Sequence, residues 1–434
     1  MKKVLIIANL FHASPRIPGL TSYLPEFGWE ATIITPPLGE DFQKQFAPSQ
    51  NFFKNGKIVE VPYRGDIFWF WRKLFKFLGF NINESILNQT KEKVGITSKK
   101  SFIDYIFNLY QTIFGYPDNE KGWKRPAVKV GCKLLKKEKF DAIISSSSPV
   151  TAHIIVNQLK KKFHLPWIAD FRDFWTQNYN YPYPWWRRIF EKRLEVKTLF
   201  LADVLTTAFR FGAERFQNLH KRKKVHPIVN GFDPEKINNF PLGLTSKFTI
   251  TYTGQIYTEK QDISKLFFAL KNLISNGKID SKDIKVRFFG RKENWLNKEI
   301  ENFRLISVVK QYGIVPRETA LKKQWESQIL LLLNWEDPKV KGCYTGKIFE
   351  YLAAQRPVLV TGGFGSDALK KLINETQAGV YCPKIKDIEN YLCQFYLEYK
   401  QKRRVEYKGN WEEIKKYSHR EMSKKFANIL NRIT

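Results

Sequence analysis

The sequence predicts an α/β protein with two doubly wound parallel sheets and a cleft between them. Three observations predict it. Short apolar, β-branched runs alternate with helical stretches, the pattern of strands joined by crossover helices. A polar segment containing Pro and Gly, GFDPEKINNFPLGLTSK (231–247), interrupts that alternation. The alternation then restarts at Phe248.

In the first half the strand candidates are VLIIAN (4–9), ATIITPP (31–37), KIVEVPY (57–63), DAIISSS (141–147), PWIADF (166–171), DVLTTA (203–208) and VHPIVNG (225–231). Helical stretches separate them, for example 150–163 and 185–201. In the second half they are FTITYTG (248–254), IKVRFFG (284–290), ISVVKQYGIV (306–315), QILLLLN (328–334), PVLVTGG (357–363) and AGVYC (378–382). The chain closes with helical segments over 384–402 and 411–433.

The bulk properties narrow the function. A chain of 434 residues accommodates two or three domains, and 43% hydrophobic residues supply a core. The formal net charge of +31 favours anionic partners: nucleotide phosphates, nucleic acid or an anionic membrane face. No run of about 20 uncharged apolar residues is present, so no transmembrane helix is expected. The N-terminal MKKVLIIANLFHASPRIPG briefly resembles a signal peptide, but its apolar run is short and His12 and Arg16 follow it, as in a buried first strand. Cys132, Cys343, Cys382 and Cys393 form no CxxC pair and have no His at ligand spacing. A reducing cytoplasm, no disulfide framework, no metal site and no cofactor are expected.

In doubly wound sheets ligands bind beyond the carboxyl ends of the strands, so the loops there carry the candidate chemistry. ITYTGQIYTEKQD (250–262) is a strand, a turn at Gly254 and a helix opening near Asp262; its amides and Lys260 suit a diphosphate, or the turn simply needs a glycine. GCYTGKIFEYLAAQRPVLVTGG (342–363) opens a helix after Gly346. Thr345, Gly346 and Lys347 fall at its anion-favouring end, and Glu350 is one turn in, where it accepts from a ribose diol or merely complements the helix dipole. PWIADFRDFW (166–175) puts Asp170, Arg172 and Asp173 just past a buried strand, facing a cleft or pairing with one another. SSSSPVTAH (145–153) sets hydroxyls at a helix start, with His153 a turn later.

Five stretches in order carry a resemblance: the opening VLIIANLF…PRIPGLTSYLPEFGWEATIIT, ISSSSPVTAHIIVNQLKKKFHLPWIADFRDFW, IVNGFD, YTGQIYTEKQD and TGKIFEYLAAQRPVLV. Over nearly its whole length the chain resembles GT-B glycosyltransferases, and is similar to the family 4 retaining enzymes of bacterial cell-surface polysaccharide synthesis. The resemblance implies two Rossmann-like domains: an acceptor-side domain over 1–240, a nucleotide-sugar domain over 247–410, and a segment 411–434 returning to the first. It implies that Lys260 neutralises the donor diphosphate and that Glu350 holds the ribose. Asp170 and Asp173 would stand beside the donor sugar as catalytic groups. Gly254, Gln255, Arg291, Ile314, Val315, Thr345, Gly346 and Lys347 would line the donor site; Arg16, His153 and Arg172 would face the acceptor. Two positions depart from the pattern. Gln255 stands where the family has arginine, and Gly342 where it has the first glutamate of a pair, which leaves the amides of Thr345 to Lys347 to meet the sugar.

The segment DIFWFWRKLFKFLGFN, beginning at Asp66, has a second character. On a helical wheel over 68–80, Phe70, Trp71 and Leu74 share an apolar half, opposite Arg72, Lys73 and Lys76. A wide apolar face against a basic one fits a helix lying in a membrane interface, although such arcs also face cores. YNYPYPWWRRIFEKR (179–193) is a second aromatic-basic stretch. The expected function is transfer of a sugar to a lipid-linked acceptor at the inner face of the cell membrane. The alternatives are a GT-B enzyme with a soluble or protein acceptor, and a nucleic-acid binder, for which no recognition module is present.

Overall fold

The computed structural model describes residues 1–13, 15–39, 56–63, 102–179, 181–237, 243–258, 260–337, 345–364 and 368–434. The basic segment 66–80, with Phe70, Trp71, Arg72, Lys73, Leu74 and Lys76, and the position of Gly342 lie outside them. Two parallel sheets organise the chain. The first has order β3-β2-β1-β4-β5-β6-β7, with β1 Lys2–Ala8, β2 Trp29–Thr35, β3 Gly56–Glu60, β4 Ala142–Ser147, β5 Trp167–Phe171, β6 Val204–Thr207 and β7 Lys224–Pro227. The second has order β10-β9-β8-β11-β12-β13, with β8 Phe248–Thr253, β9 Ile284–Phe289, β10 Val309–Gly313, β11 Ile329–Leu333, β12 Val358–Thr361 and β13 Gly379–Cys382. Every predicted strand forms, each within its expected stretch or shifted from it by a residue or two.

The strands read as continuous apolar runs because both faces of each sheet are covered. Along β1, Val4 and Ile6 enter one buried cluster while Leu5 and Ile7 enter another. Along β11, Leu331 and Leu333 pack on one face and Leu330 and Leu332 on the other. Burying each such side chain contributes about 1.5–3 kcal/mol. The order reverses between β1 and β4, paired Val4 to Ala142, and between β8 and β11, paired Ile329 to Ile250. Neighbouring crossovers leave in opposite directions at these two places, so a crevice opens beyond the carboxyl ends.

The segment over 411–433 is not one helix. Trp411–Ile414 leads through a 3-10 turn, Lys415–Tyr417, into His419–Ile433. Ser418 breaks and restarts the helix: its extended backbone bridges Phe232, and its hydroxyl accepts from the Glu421 amide at 3.2 Å. The S-x-x-E spacing of Ser418 and Glu421 is that of a capping box. Met422, Phe426, Ile429 and Leu430 on the last helix then complete the core of the first sheet. Among the described residues, no helix is long and apolar enough to cross a membrane.

Candidate active site

The carboxyl edge of the second sheet is built around one glycine. β8 runs directly into Gly254, whose φ of 112° disfavours a side chain. A Cβ there would also lie 2.4 Å from the Lys347 Cε. Gly290, after β9, packs so tightly that a Cβ on it would lie 2.3 Å from the Gly254 carbonyl oxygen. Lys347 is the first residue of the helix Lys347–Ala354 and reaches across this turn. Its ammonium donates to the Gln255 carbonyl at 3.4 Å and sits 5.2 Å from the centre of the Tyr252 ring. Burial lowers its pKa to about 8 against the opposing pull of Glu350. The hydroxyl of Thr345, beside the same helix start, is buried without a hydrogen-bond partner. A desolvated ammonium, an orphaned hydroxyl and a helix start converge on one turn, an arrangement suited to an anion.

Glu350 stands one turn into that helix. Its Oε1 accepts from Arg317 Nη2 at 2.7 Å and its Oε2 from Gln324 Nε2 at 3.3 Å. Arg317 opens the helix Arg317–Trp325, directly after the loop of Ile314, Val315 and Pro316 beyond β10. Ile314 is exposed there and Val315 half-buried. Arg291, beyond β9, is exposed and 3.7 Å from Glu293. Lys260 has its ammonium 5.8 Å from the centre of the Trp335 ring, while its carbonyl accepts from Glu336. Lys347 thus places a cation against the YTG turn. Glu350, Gly346 and Arg317 line a cavity whose opposite wall is Tyr23, Phe232 and Asp233, so the two halves of the chain meet at this edge.

The carboxyl edge of the first sheet is a network of charges. Asp170, near the end of β5, accepts from Arg16 Nε at 3.0 Å and Nη2 at 2.8 Å, from Ser146 at 2.8 Å and from Thr206 at 2.7 Å. Burial pushes its carboxyl up, and the Arg16 charge and these donors more than offset that, leaving it below its ordinary value. Arg16 also donates to Asn230 at 3.0 Å and lies over the Phe426 ring. The pair therefore ties β5, β4, β6, the loop after β7 and the last helix together. Each Asp170 oxygen accepts two of these bonds.

Asp173 is the exposed carboxylate of the same loop; the protein crowded around it raises its pKa, and Arg172 draws it back. Arg172 donates to the carbonyls of His12 and Ser148, joining the loops after β1 and β4. Beside it Glu120 accepts from Asn9 at 2.9 and 3.1 Å and meets His12 at 3.3 Å. Asp118, raised to about 6 by burial and the Glu120 charge, holds the start of the helix Thr151–Phe163 through Thr151. His153 is enclosed: its Nδ1 is 2.7 Å from Ser145 Oγ, its ring packs on Phe171, and burial lowers its pKa to about 3. It is a neutral core imidazole in this structure.

The structure thus gathers Gly254, Gln255, Thr345, Gly346, Lys347 and Glu350 at one edge, and Arg16, Asp170, Arg172 and Asp173 at the other. Residues not singled out in the sequence are Arg317, Gln324, Asn9, His12, Asp118 and Glu120. PDNEKGW (117–123) held a signal for two of them, since paired acids in a Pro- and Gly-containing turn are loop residues available to a site. Arg317 gave none, because its partner is 33 residues away.

No family model and no curated protein matches the chain. Solved structures do. A glycosyltransferase of Rickettsia africae aligns with TM-score 0.60 at 13% identity, covering 100% of this chain and 98% of its own. HepE of Anabaena, solved with UDP and glucose, aligns with TM-score 0.62 at 11% identity over 100% of both chains. TarM of S. aureus aligns with TM-score 0.55 at 13% identity over 99% of this chain and 100% of its own. The fold is GT-B, the two-domain Rossmann-like architecture of glycosyltransferases.

Proposed function

We propose that the protein is a glycosyltransferase that moves a sugar from a nucleotide-diphosphate donor to a lipid-linked acceptor of cell-surface glycan synthesis, at the inner face of the membrane. One observation carries the donor half of this reading: the desolvated Lys347 ammonium held over the Gly254 turn at a helix start. Transfer expels a nucleoside diphosphate, so the largest catalytic contribution is positive charge placed where that leaving group develops its own. Lys347 and the amides of Thr345 to Lys347 supply it, with Lys260 on the neighbouring loop. Glu350, held by Arg317 and Gln324, presents a carboxylate to the ribose diol. HepE has been solved with UDP and with UDP-glucose, which supports a nucleotide-sugar donor here.

The acceptor hydroxyl attacks from the first domain, where Asp173 and the His12–Glu120 pair lie beyond the carboxyl ends of the first sheet. Attack on the same face as the departing diphosphate, with retention of configuration, needs no protein nucleophile; the leaving phosphate oxygen takes the hydroxyl proton. Calorimetric titration with UDP, other nucleoside diphosphates and uridine tests the reading. Lys347→Met is expected to weaken UDP far more than uridine, and Glu350→Ala to weaken both. Equal nucleotide affinity in both variants and the parent protein would overturn it.

A further inference from the structure

The helix Trp185–Leu199 buries charge and exposes large apolar side chains. Its buried side carries Arg187 and both of its acids: Arg187 is 1% exposed, Glu191 1% and Glu195 0%. Its outward side carries the large apolar groups, with Trp185 75% exposed and Phe190 54%, joined by Trp186 and Ile189. Ordinary amphipathic helices have the opposite arrangement. The inversion is held in place by bonding. Arg187 meets Glu191 at 2.6 Å and donates to the carbonyls of Gln111, Thr112, Gly115 and Pro117, satisfying the end of the helix Phe102–Phe114. Trp175 Nε1 donates to Glu191 at 2.9 Å, and Glu195 receives the Thr176 amide and meets His220 at 3.2 Å. With every buried charge answered, the helix cannot roll over to hide its aromatic side without stranding all three charges.

Arg187 also fixes the neighbour alongside. The helix Phe102–Phe114 turns Ile113 and Phe114 outward, and Tyr116 reaches the Phe190 carbonyl at 3.5 Å. The exposed apolar groups of the two helices are thus brought side by side. Lys192, Arg193 and Lys197 are exposed within and beside it, whereas the acids of the helix Trp185–Leu199, Glu191 and Glu195, are both on the buried side. Tryptophan and phenylalanine interleaved with lysine and arginine, with both acids of the helix Trp185–Leu199 buried, complement a surface that is apolar below and anionic above. A second copy of the chain would bring the same lysines and arginines against these, which disfavours self-association through this face.

We propose that this face, Ile113 and Phe114 with Trp185, Trp186, Ile189 and Phe190, docks the protein on an anionic lipid bilayer. It deepens the lipid-acceptor reading and is tested without sugar transfer. Full-length protein is sedimented with vesicles of phosphatidylcholine alone or with about a third phosphatidylglycerol, at low and high salt. The expected result is partition onto the anionic vesicles that falls with salt. Trp185→Ser with Phe190→Ser should cut it by about tenfold or more, and Lys192→Glu with Arg193→Glu should abolish the preference for anionic lipid. Because these side chains are already in solvent, melting temperature and UDP binding should not move. Partition unaffected by either pair of substitutions, or a melting temperature lowered by the Trp185/Phe190 pair, would overturn the proposal. So would a concentration-dependent dimer that the same pair disperses. Loss of UDP binding in the parent protein with vesicle docking intact would instead sink only the donor reading.

Discussion

Each half of the chain places an arginine–carboxylate pair at the cleft edge of its sheet, and the two pairs are built differently. Arg16 and Asp170 are 1% and 0% exposed, doubly bonded to each other, with two hydroxyls, an amide oxygen and an aromatic ring filling the remaining directions. Arg317 and Glu350 are 30% and 28% exposed and share one contact of 2.7 Å. The first is buried, with each carboxylate oxygen accepting two bonds, and it joins five elements. The second keeps open positions on both partners and lines a cavity. An ion pair at a strand's carboxyl end is thus scaffold or site according to how many of its bonding positions the fold has already filled.

The sharpest way to break this contrast is to remove the carboxylates. Asp170→Ala leaves Arg16 charged and buried, and is expected to lower stability by about 3–5 kcal/mol, seen as a large fall in melting temperature. A loss below about 1 kcal/mol would mean the pair is not the scaffold described. Next in size, Lys347→Met should weaken UDP binding by about tenfold to a hundredfold, the effect of one charge-assisted contact with a diphosphate. Gly254→Ala should do nearly the same, because its Cβ displaces the Lys347 side chain; normal affinity in that variant would separate the turn from the lysine.

A pH titration sharpens the comparison further. Lys347 titrates near 8 in the free protein, and a bound diphosphate favours its charged form. UDP affinity should therefore be greatest below about pH 8 and fall as pH rises through it, with proton uptake on binding in that window. In Lys347→Met the calorimetric affinity should be flat across the same range. The smallest effect belongs to Arg317→Ala. Stability should change by less than about 1 kcal/mol, as for other half-exposed pairs, while nucleoside affinity falls because Glu350 loses its orienting partner. Comparable stability losses in Asp170→Ala and Arg317→Ala would erase the distinction between the two pairs.

Much of this architecture was legible in the sequence. Period and composition marked the strands, because parallel strands buried on both faces are continuous apolar runs that few other elements imitate. The glycine turn and the helix opening after Gly346 were equally plain, since positive φ and helix starts leave local signatures. Both follow from interactions within about ten residues. Pairings across the fold left no such trace. Asp170 read as a cleft carboxylate, yet Arg16, 154 residues away, occupies it. Lys260 carried the family pattern, yet Lys347 is the amine that crosses the turn, 92 residues from the carbonyl it meets. The stretch at 179–193 read as aromatic and basic, but only packing decided that Arg187 and Glu191 turn inward while Trp185 and Phe190 turn out. A sequence fixes which residues alternate and where the backbone turns, because those are local. Which charge meets which depends on loop lengths and sheet order, and these act only once the chain has closed on itself.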